Sequence, residues 1–143
     1  MTSSIVSNYL LDNSAIVNGA ARNSGNFSKV TLTVSTLTNG LYTVTVQNIK
    51  DTTGNSIASP QSKSFSFGVI PISLARSAGT GQSVKVRGVI TAENEFGSPA
   101  FIQDTSGALA VFNSAFSASA RLGDIWEIGG DLKNFNGLLE FDP

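Results

Sequence analysis

Apolar residues recur at every second position in separate stretches of this chain, and this period limits the folds that the chain can adopt. At positions 30–35, valine and leucine alternate with threonine and serine, and the same alternation returns at 84–90 with lysine and arginine at the polar positions. Successive side chains of a β-strand point to opposite faces, so this pattern predicts strands with one buried face. The first 70 residues show no helical period. We therefore predict an all-β fold.

The first half of the chain reads as a series of short strands separated by turn residues. Asn39-Gly40 is a turn pair that favours tight hairpins, and it predicts that the third and fourth strands form a hairpin. A short-stranded series of this kind indicates a β-sandwich over residues 1–69. The predicted strands lie around Tyr9, around Ile16, at 30–35, at 41–47 and around Phe65 and Phe67.

Five strands are fewer than the seven or so of an isolated sandwich. We therefore expect this domain to be incomplete at its N-terminus. A partner chain or a strand-swapped homodimer would then complete the sheet.

The second half, residues 70–143, follows a linker "VIPISLARSAG" that has room for one or two helical turns after Pro71. Glycines inside the later strands, Gly88 and the pair Gly129-Gly130, are typical of the bulges and sharp bends of a small barrel. Five strands and these glycines predict a strongly curved, barrel-like sheet. The strands are expected at 84–90, at "AFIQD", at "ALAVF", at 124–132 and at 138–141.

Both halves resemble known families of secreted bacterial modules. The segments "NYLLDNSAIVNGAARN", "LYTVTVQNIKD" and "TTGNSI" are similar to the Ig-like repeats of surface-layer proteins and large secreted enzymes, over about 8–68. The segments "VKVRGVITA", "AFIQDTSGALAVF", "LGDIWEIGG" and "NFNGLLEF" resemble the OB-fold modules that accompany secreted nucleases and phosphoesterases, over about 72–143. The resemblance implies a partial Ig-like β-sandwich followed by a five-stranded OB-like barrel, in a secreted or cell-surface protein.

Composition narrows the context of the chain. It is 41% hydrophobic but only 13% charged, and it contains no cysteine, which excludes disulfides and thiolate metal sites. No stretch approaches the roughly 20 apolar residues of a membrane span, so we expect no membrane insertion. The first residues lack the layout of a signal peptide. If the parent protein is exported, as the resemblance implies, we expect this chain to be one piece of it.

The residues available for catalysis are few. Histidine and cysteine are both absent, which excludes Ser-His-Asp and Cys-His machinery. We expect no enzymatic activity, and the resemblance assigns any nuclease or phosphoesterase activity to the parent protein. Asp51 and Asn55 in "DTTGN", and the pair Glu93 and Glu95, have oxygen ligands that could hold Ca²⁺. Solvated turns are the simpler interpretation of both, and no cofactor is expected.

Single-stranded nucleic acid is one ligand that the second half could bind. OB-folds stack bases on exposed aromatic rings within a positive groove. Phe101, Phe112 and Trp126 lie within strands and are predicted to be buried. Residues 71–143 carry eight acidic and five basic side chains, a net charge of −3 that opposes phosphate binding. The candidate nucleic-acid-binding residues are Lys85, Arg87, Phe96, Lys133 and Phe135.

Two other functions are open on the sequence. The two modules could be non-catalytic spacers that position a neighbouring catalytic or anchoring domain of the parent chain, and this is the interpretation we favour. Alternatively, a surface rich in hydroxyls and amides with a few flat rings suits weak contact with polysaccharide or cell wall, because rings stack on sugar faces and amides pair with sugar hydroxyls.

Overall fold

Strands dominate the computed structural model, which describes residues 2–95, 97 and 99–143. The prediction of an all-β fold is confirmed. In chain order, two 3-10 turns (Thr2–Ser4, Val6–Asn8) precede β1 (Tyr9–Leu11), β2 (Val17–Arg22), β3 (Val30–Val34), β4 (Gly40–Val46), β5 (Gln61–Phe67), α1 (Ile72–Ala78), β6 (Ser83–Ala92), β7 (Pro99–Gln103), β8 (Ala108–Phe112), α2 (Ser114–Ser119), β9 (Ile125–Phe135) and β10 (Leu138–Asp142).

The described chain divides into two compact units. The first unit contains residues 2–38 and Tyr42–Ser64, and the second contains Asn39–Leu41 and Phe65–Pro143. The division falls within β4 and β5. The short helix that the linker sequence allows is present as α1, at the start of the second unit.

The first unit has two small antiparallel sheets. One has the order β1-β4-β5 and the other pairs β2 with β3. The predicted hairpin of the third and fourth strands is therefore wrong, because β3 and β4 belong to different sheets. The Tyr42 hydroxyl donates to the Thr38 carbonyl (2.9 Å) and accepts from the Thr38 amide (3.1 Å), which holds the chain where it changes sheets. Tyrosine hydroxyls of Greek-key sandwiches bond to the upstream backbone in a similar way.

Few side chains of the first unit are deeply buried. Among the residues that the structure describes, its buried hydrophobic side chains are Tyr9, Val17 and Tyr42. The apolar side chains of β3 are only half-buried. On β4 and β5, hydroxyls pair across the strands, Thr43 with Ser64 at 3.1 Å and Thr45 with Ser62 at 2.8 Å. One face of the sheet that contains β4 and β5 therefore carries hydroxyl pairs. Few of the apolar side chains in this unit are deeply buried.

The second unit is a closed barrel with the strand order β10-β8-β7-β6-β9. The long strand β6 pairs with both β7 and β9, β10 pairs antiparallel with β9, and β10 closes the barrel through a parallel pairing with β8. This five-stranded arrangement is OB-like. Helix α2 between β8 and β9 was not predicted, since six residues are too few to show a helical period. The Asn113 side chain caps it by accepting from the Phe116 amide at 2.9 Å.

Inward-facing side chains of the five strands and of both helices form one continuous core. Alternate residues of β6 are buried, as the sequence predicts. Gly88 lies where β6 approaches β7, and a Cβ there would be 2.5 Å from the Gln103 carbonyl oxygen. Only glycine fits this approach without a shift of the backbone. The most deeply buried large side chains are Phe141, Ile70, Ile72, Ile90, Ile102, Leu109, Leu132, Val86 and Val111.

Asp104 connects the β7–β8 turn to helix α1. Its carboxylate accepts from the Ser106 and Gly107 amides within the turn and from the Ile72 amide in the first turn of α1, at 2.7–2.9 Å. Burial raises the pKa of Asp104, but the hydrogen bonds from Ser106, Ile72 and Gly107 together outweigh it and hold the pKa below the usual aspartate value. The charged carboxylate therefore stabilises the packing of α1 on the barrel.

Candidate ligand-binding face of the barrel

The outer face of β7, β8, β10 and β9 presents one row of residues in register. Phe101 lies opposite Ala110, Ala110 opposite Glu140, and Glu140 opposite Lys133. The neighbours of these residues along the strands, such as Ile102 and Phe141, are fully buried in the core, so the row points outward. Ala110 and Glu140 are nevertheless buried. Other side chains of this outer face therefore cover them.

Two phenylalanines on the same outer face form an exposed aromatic pair. Phe112 ends β8 and Phe135 ends β9, and their rings are nearly parallel, with an interplanar angle of 14° and centroids 6.4 Å apart. Phe112 is 48% exposed and Phe135 is 61% exposed. Leu138 is exposed beside them, opposite Phe135 across the β9–β10 turn. The pair thus offers apolar ring surface to solvent.

The exposure of Phe112 differs from the prediction that strand aromatics are buried. Phe112 is the last residue of β8 and directly precedes Asn113, the cap of α2, so its side chain falls outside the core. Phe101 and Trp126 are partly buried, and the Trp126 ring packs edge-to-face on buried Phe116, with centroids 5.2 Å apart. The parity of β8 already places Phe112 on the face opposite Val111. That signal could have identified Phe112 from the sequence.

Phe135 has the exposure expected of a candidate binding residue, and the acids around Lys133 set the charge beside it. Lys133 forms an ion pair with Asp142. The hydrogen bond and charge of Asp142, with a further contribution from Asp131, raise the pKa of Lys133. Glu140 lies opposite Lys133 in the strand register. Three carboxylates therefore accompany one cation, and the surface next to Phe135 carries net negative charge.

Lys85 and Arg87 share the outer face of β6, as predicted, but they lie apart from Phe135. Lys85 pairs with Glu127 at 3.3 Å, and Arg87 lies opposite Glu127 in the strand register. The backbone partner of Lys85 is Gly129, four residues before Lys133 on β9, or roughly 13 Å along the strand. Arg87 lines a groove on the outer face of β6, β7 and β9, with Val89 and Ile125 as its apolar walls.

The remaining predicted nucleic-acid residue, Phe96, lies outside the described residues. Of the predicted residues, Phe135 and Lys133 therefore lie close together on β9. Phe112, which was predicted to be buried, lies beside Phe135. Lys85 and Arg87 lie on a separate part of the barrel surface.

Two of the carboxylates considered for Ca²⁺, Asp51 and Glu93, accept hydrogen bonds. Asp51 accepts from the Thr53 amide and hydroxyl, the Asn55 amide and the Asn55 side chain, at 2.8–2.9 Å. The side chains of Asn55 and Thr53 lead the interactions that lower the pKa of Asp51 to about 2. Glu93 lies in the loop after β6 and accepts from the Leu122 amide at 2.7 Å, and Glu95 is exposed in the same loop.

Hydrogen bonding therefore accounts for the positions of Asp51 and Asn55 within their loop, and it connects Glu93 to the distant Leu122 amide. Residues 2–95, 97 and 99–143 hold no group of three or more acidic side chains close enough to bind a metal. The expectation of no cofactor, with Ca²⁺ as its alternative, remains a prediction.

A groove of about 800 Å³ opens within the first unit. Tyr9 and Val44 of one sheet and Leu32 of the other line it, and Arg22 lies over the Phe27 ring at its rim, 4.1 Å from the ring centroid. Apolar side chains that would be covered in a complete sandwich face this groove. Completion of the sheet by a partner chain or a swapped strand remains a prediction.

Comparisons of the chain with family models, with curated proteins and with solved structures found no match. The helices in the described part of the chain are too short to cross a membrane. The geometry and charge of the barrel surface are therefore the observations that bear on function.

Proposed function

We propose that this chain is a non-catalytic accessory module whose barrel binds an uncharged polysaccharide weakly through the aromatic pair Phe112 and Phe135. The single observation that carries the proposal is the exposure of two nearly parallel rings on the outer face of the barrel. The C–H face of a sugar ring stacks on an aromatic ring, and the hydroxyls around it remain free to bond with water or with amide side chains.

Charge favours a neutral ligand over nucleic acid. Single-stranded nucleic acid would also stack on the aromatic pair, but its phosphates need cations beside the rings. The lysine nearest Phe135 along β9 is already paired with Asp142 and is near two further carboxylates. Lys85 is paired with Glu127. A polysaccharide without charged groups meets no such repulsion.

The wider context of the proposal comes from the sequence resemblance. An Ig-like module followed by an OB-like barrel, in a secreted or cell-surface bacterial protein, would hold a neighbouring catalytic or anchoring domain near its substrate. Weak binding of polysaccharide by the barrel suits that role, because a spacer that contacts the cell wall or an extracellular glycan keeps its parent protein in place. The chemistry of the parent protein would then reside in its other domains.

Affinity gel electrophoresis tests the proposal with the full chain. Native gels would contain one soluble neutral polysaccharide each, namely hydroxyethyl cellulose, xylan, glucomannan or β-1,3-glucan, and suspensions of cellulose and chitin would serve for pull-down. We expect retardation or capture by at least one of these probes. Substitution of both Phe112 and Phe135 by alanine should weaken that binding by roughly thirtyfold, because each ring contributes on the order of 1 kcal/mol.

Ile125→Ala is the matched control for these substitutions. Ile125 lies on the outer face of the same strand as Phe135 and has nearly the same exposure, 63% against 61%. Loss of binding in the phenylalanine variants but not in this control would support the proposal. Absence of binding to every neutral probe, or an equal loss with Ile125→Ala, would overturn it.

A further inference from the structure

We infer that Asp142 is a specificity-determining residue, which keeps Lys133 paired and thereby makes the aromatic pair selective for uncharged polymers against polyanions. This inference rests on the proposed function, since it concerns what the same site excludes. The outer-face positions of the β9–β10 hairpin carry it. Phe135 lies opposite Leu138, Lys133 opposite Glu140, and Asp131 opposite Asp142.

The Lys133 ammonium reaches diagonally to Asp142 instead of extending toward solvent beside the ring of Phe135, two residues further on. Asp131 and Glu140 are adjacent to the same cation. A phosphate or carboxylate of a polymer lying on the rings would therefore meet a lysine whose charge is already compensated and two further negative charges. Within about 10 Å at ordinary ionic strength, such charges are not fully screened.

The ion pair between Lys133 and Asp142 can be removed by mutation while the barrel stays folded. Both side chains are partly exposed, 62% for Lys133 and 40% for Asp142. Exposed ion pairs contribute little to stability. Replacing Asp142 by asparagine keeps the size of the side chain, removes one negative charge and releases Lys133. Specificity can therefore change while the barrel remains folded.

The test measures binding of a fluorescein-labelled oligothymidylate to the full chain by anisotropy at low salt, for the wild type, Asp142→Asn and Glu127→Gln. The last variant is matched in charge, since it releases Lys85 from its ion pair on the same barrel. We expect Asp142→Asn to bind the oligonucleotide at least about threefold more tightly than Glu127→Gln does, with the gain abolished by added salt. Adding Phe135→Ala should remove the gain, because the released lysine would act beside the ring.

Equal binding by the two charge variants, or no gain with Asp142→Asn, would overturn the inference. Asp131→Asn provides a second variant that acts on the same cation if Asp142→Asn does not fold. Retention of the wild type by neutral polysaccharide is measured in parallel and tests the proposed function separately. A gain of oligonucleotide binding without any neutral ligand would remove the proposed function and leave the role of Asp142 in excluding polyanions.

Discussion

The barrel and the first unit are built from strands with the same alternation of apolar and polar residues, yet they bury those residues to different depths. In the barrel, each strand has a partner on both sides, and the inward side chains share one core. In the first unit, the sheets have three and two strands, and apolar side chains of both line an open groove. Closure of a sheet into a barrel removes the edges of the sheet and, at the same time, encloses its apolar face.

Alternation of apolar and polar residues therefore specifies strands but does not determine how well their apolar faces are covered. Leu109 on β8 is 1% exposed, whereas Leu32 on β3 is half-buried, although both alternate with polar or small neighbours. Spectroscopy can follow the two units separately. The single tryptophan, Trp126, lies in the barrel, and both tyrosines, Tyr9 and Tyr42, lie in the first unit.

Leu109→Ala should lower the free energy of unfolding of the barrel by about 2–5 kcal/mol, because it leaves a cavity in the closed core. The same substitution at Leu32 should cost about 1 kcal/mol, because less apolar surface is returned to water. Urea denaturation followed by tryptophan fluorescence reports the first value, and tyrosine near-UV circular dichroism reports the second. A cost at Leu32 as large as that at Leu109 would mean that the groove is covered in solution.

A smaller effect is expected from Gly88→Ala, which tests how tightly the barrel strands approach. The added Cβ would be 2.5 Å from the Gln103 carbonyl oxygen, so the backbone must shift, at a cost of about 1–3 kcal/mol. Gly129→Ala is the matched control on the neighbouring strand, since its Cβ would meet no atom closer than 3.9 Å. Tryptophan-detected urea denaturation should show a loss at Gly88 alone. Equal stability of the two variants would contradict the close approach.

A still smaller effect is expected on the stability of the first unit at acidic pH. Hydrogen bonds from Asn55 and Thr53 lower the pKa of Asp51 to about 2, so its contribution is fully present above the ordinary aspartate value and is lost as the pH falls from about 4 through about 2. We expect Asp51→Asn to flatten this part of the pH dependence in tyrosine-detected unfolding. Thr53→Val, which removes one donor, should shift it toward higher pH. An unchanged acid dependence in Asp51→Asn would contradict the assignment.

Asp51 and Asp104 begin similar turns, "DTTGN" and "DTSG". Only the structure reveals that their hydrogen-bond partners lie at different distances along the chain. The bonds of Asp51 remain within its own loop, whereas Asp104 also accepts from Ile72, 32 residues earlier. Local sequence predicts the turn in both cases, because aspartate readily bonds to backbone amides two or three residues on. Local sequence contains no information about which distant amide will lie next to the carboxylate in the folded protein.

The same limit explains the successes and failures of the sequence predictions. The positions of the strands follow from alternation, and each of β6 to β10 overlaps a predicted segment. Pairing does not follow, so Asn39-Gly40 predicted a hairpin where Tyr42 instead holds a change of sheet. The sequence places Phe135 beside a turn and so predicts its exposure, whereas Phe112 ends a strand whose three central residues are buried and is predicted to be buried with them. The acids around Lys133 converge only when β10 pairs with β9.

The strand that closes the barrel, β10, is also the last of the five in chain order. During synthesis on the ribosome, one edge of β8 and one edge of β9 therefore stay unpaired until residues 138–142 have left the exit tunnel. Unpaired edges are the part of a nascent sheet most prone to association with other chains. Closure of the barrel thus depends on five residues that are synthesised after its other four strands.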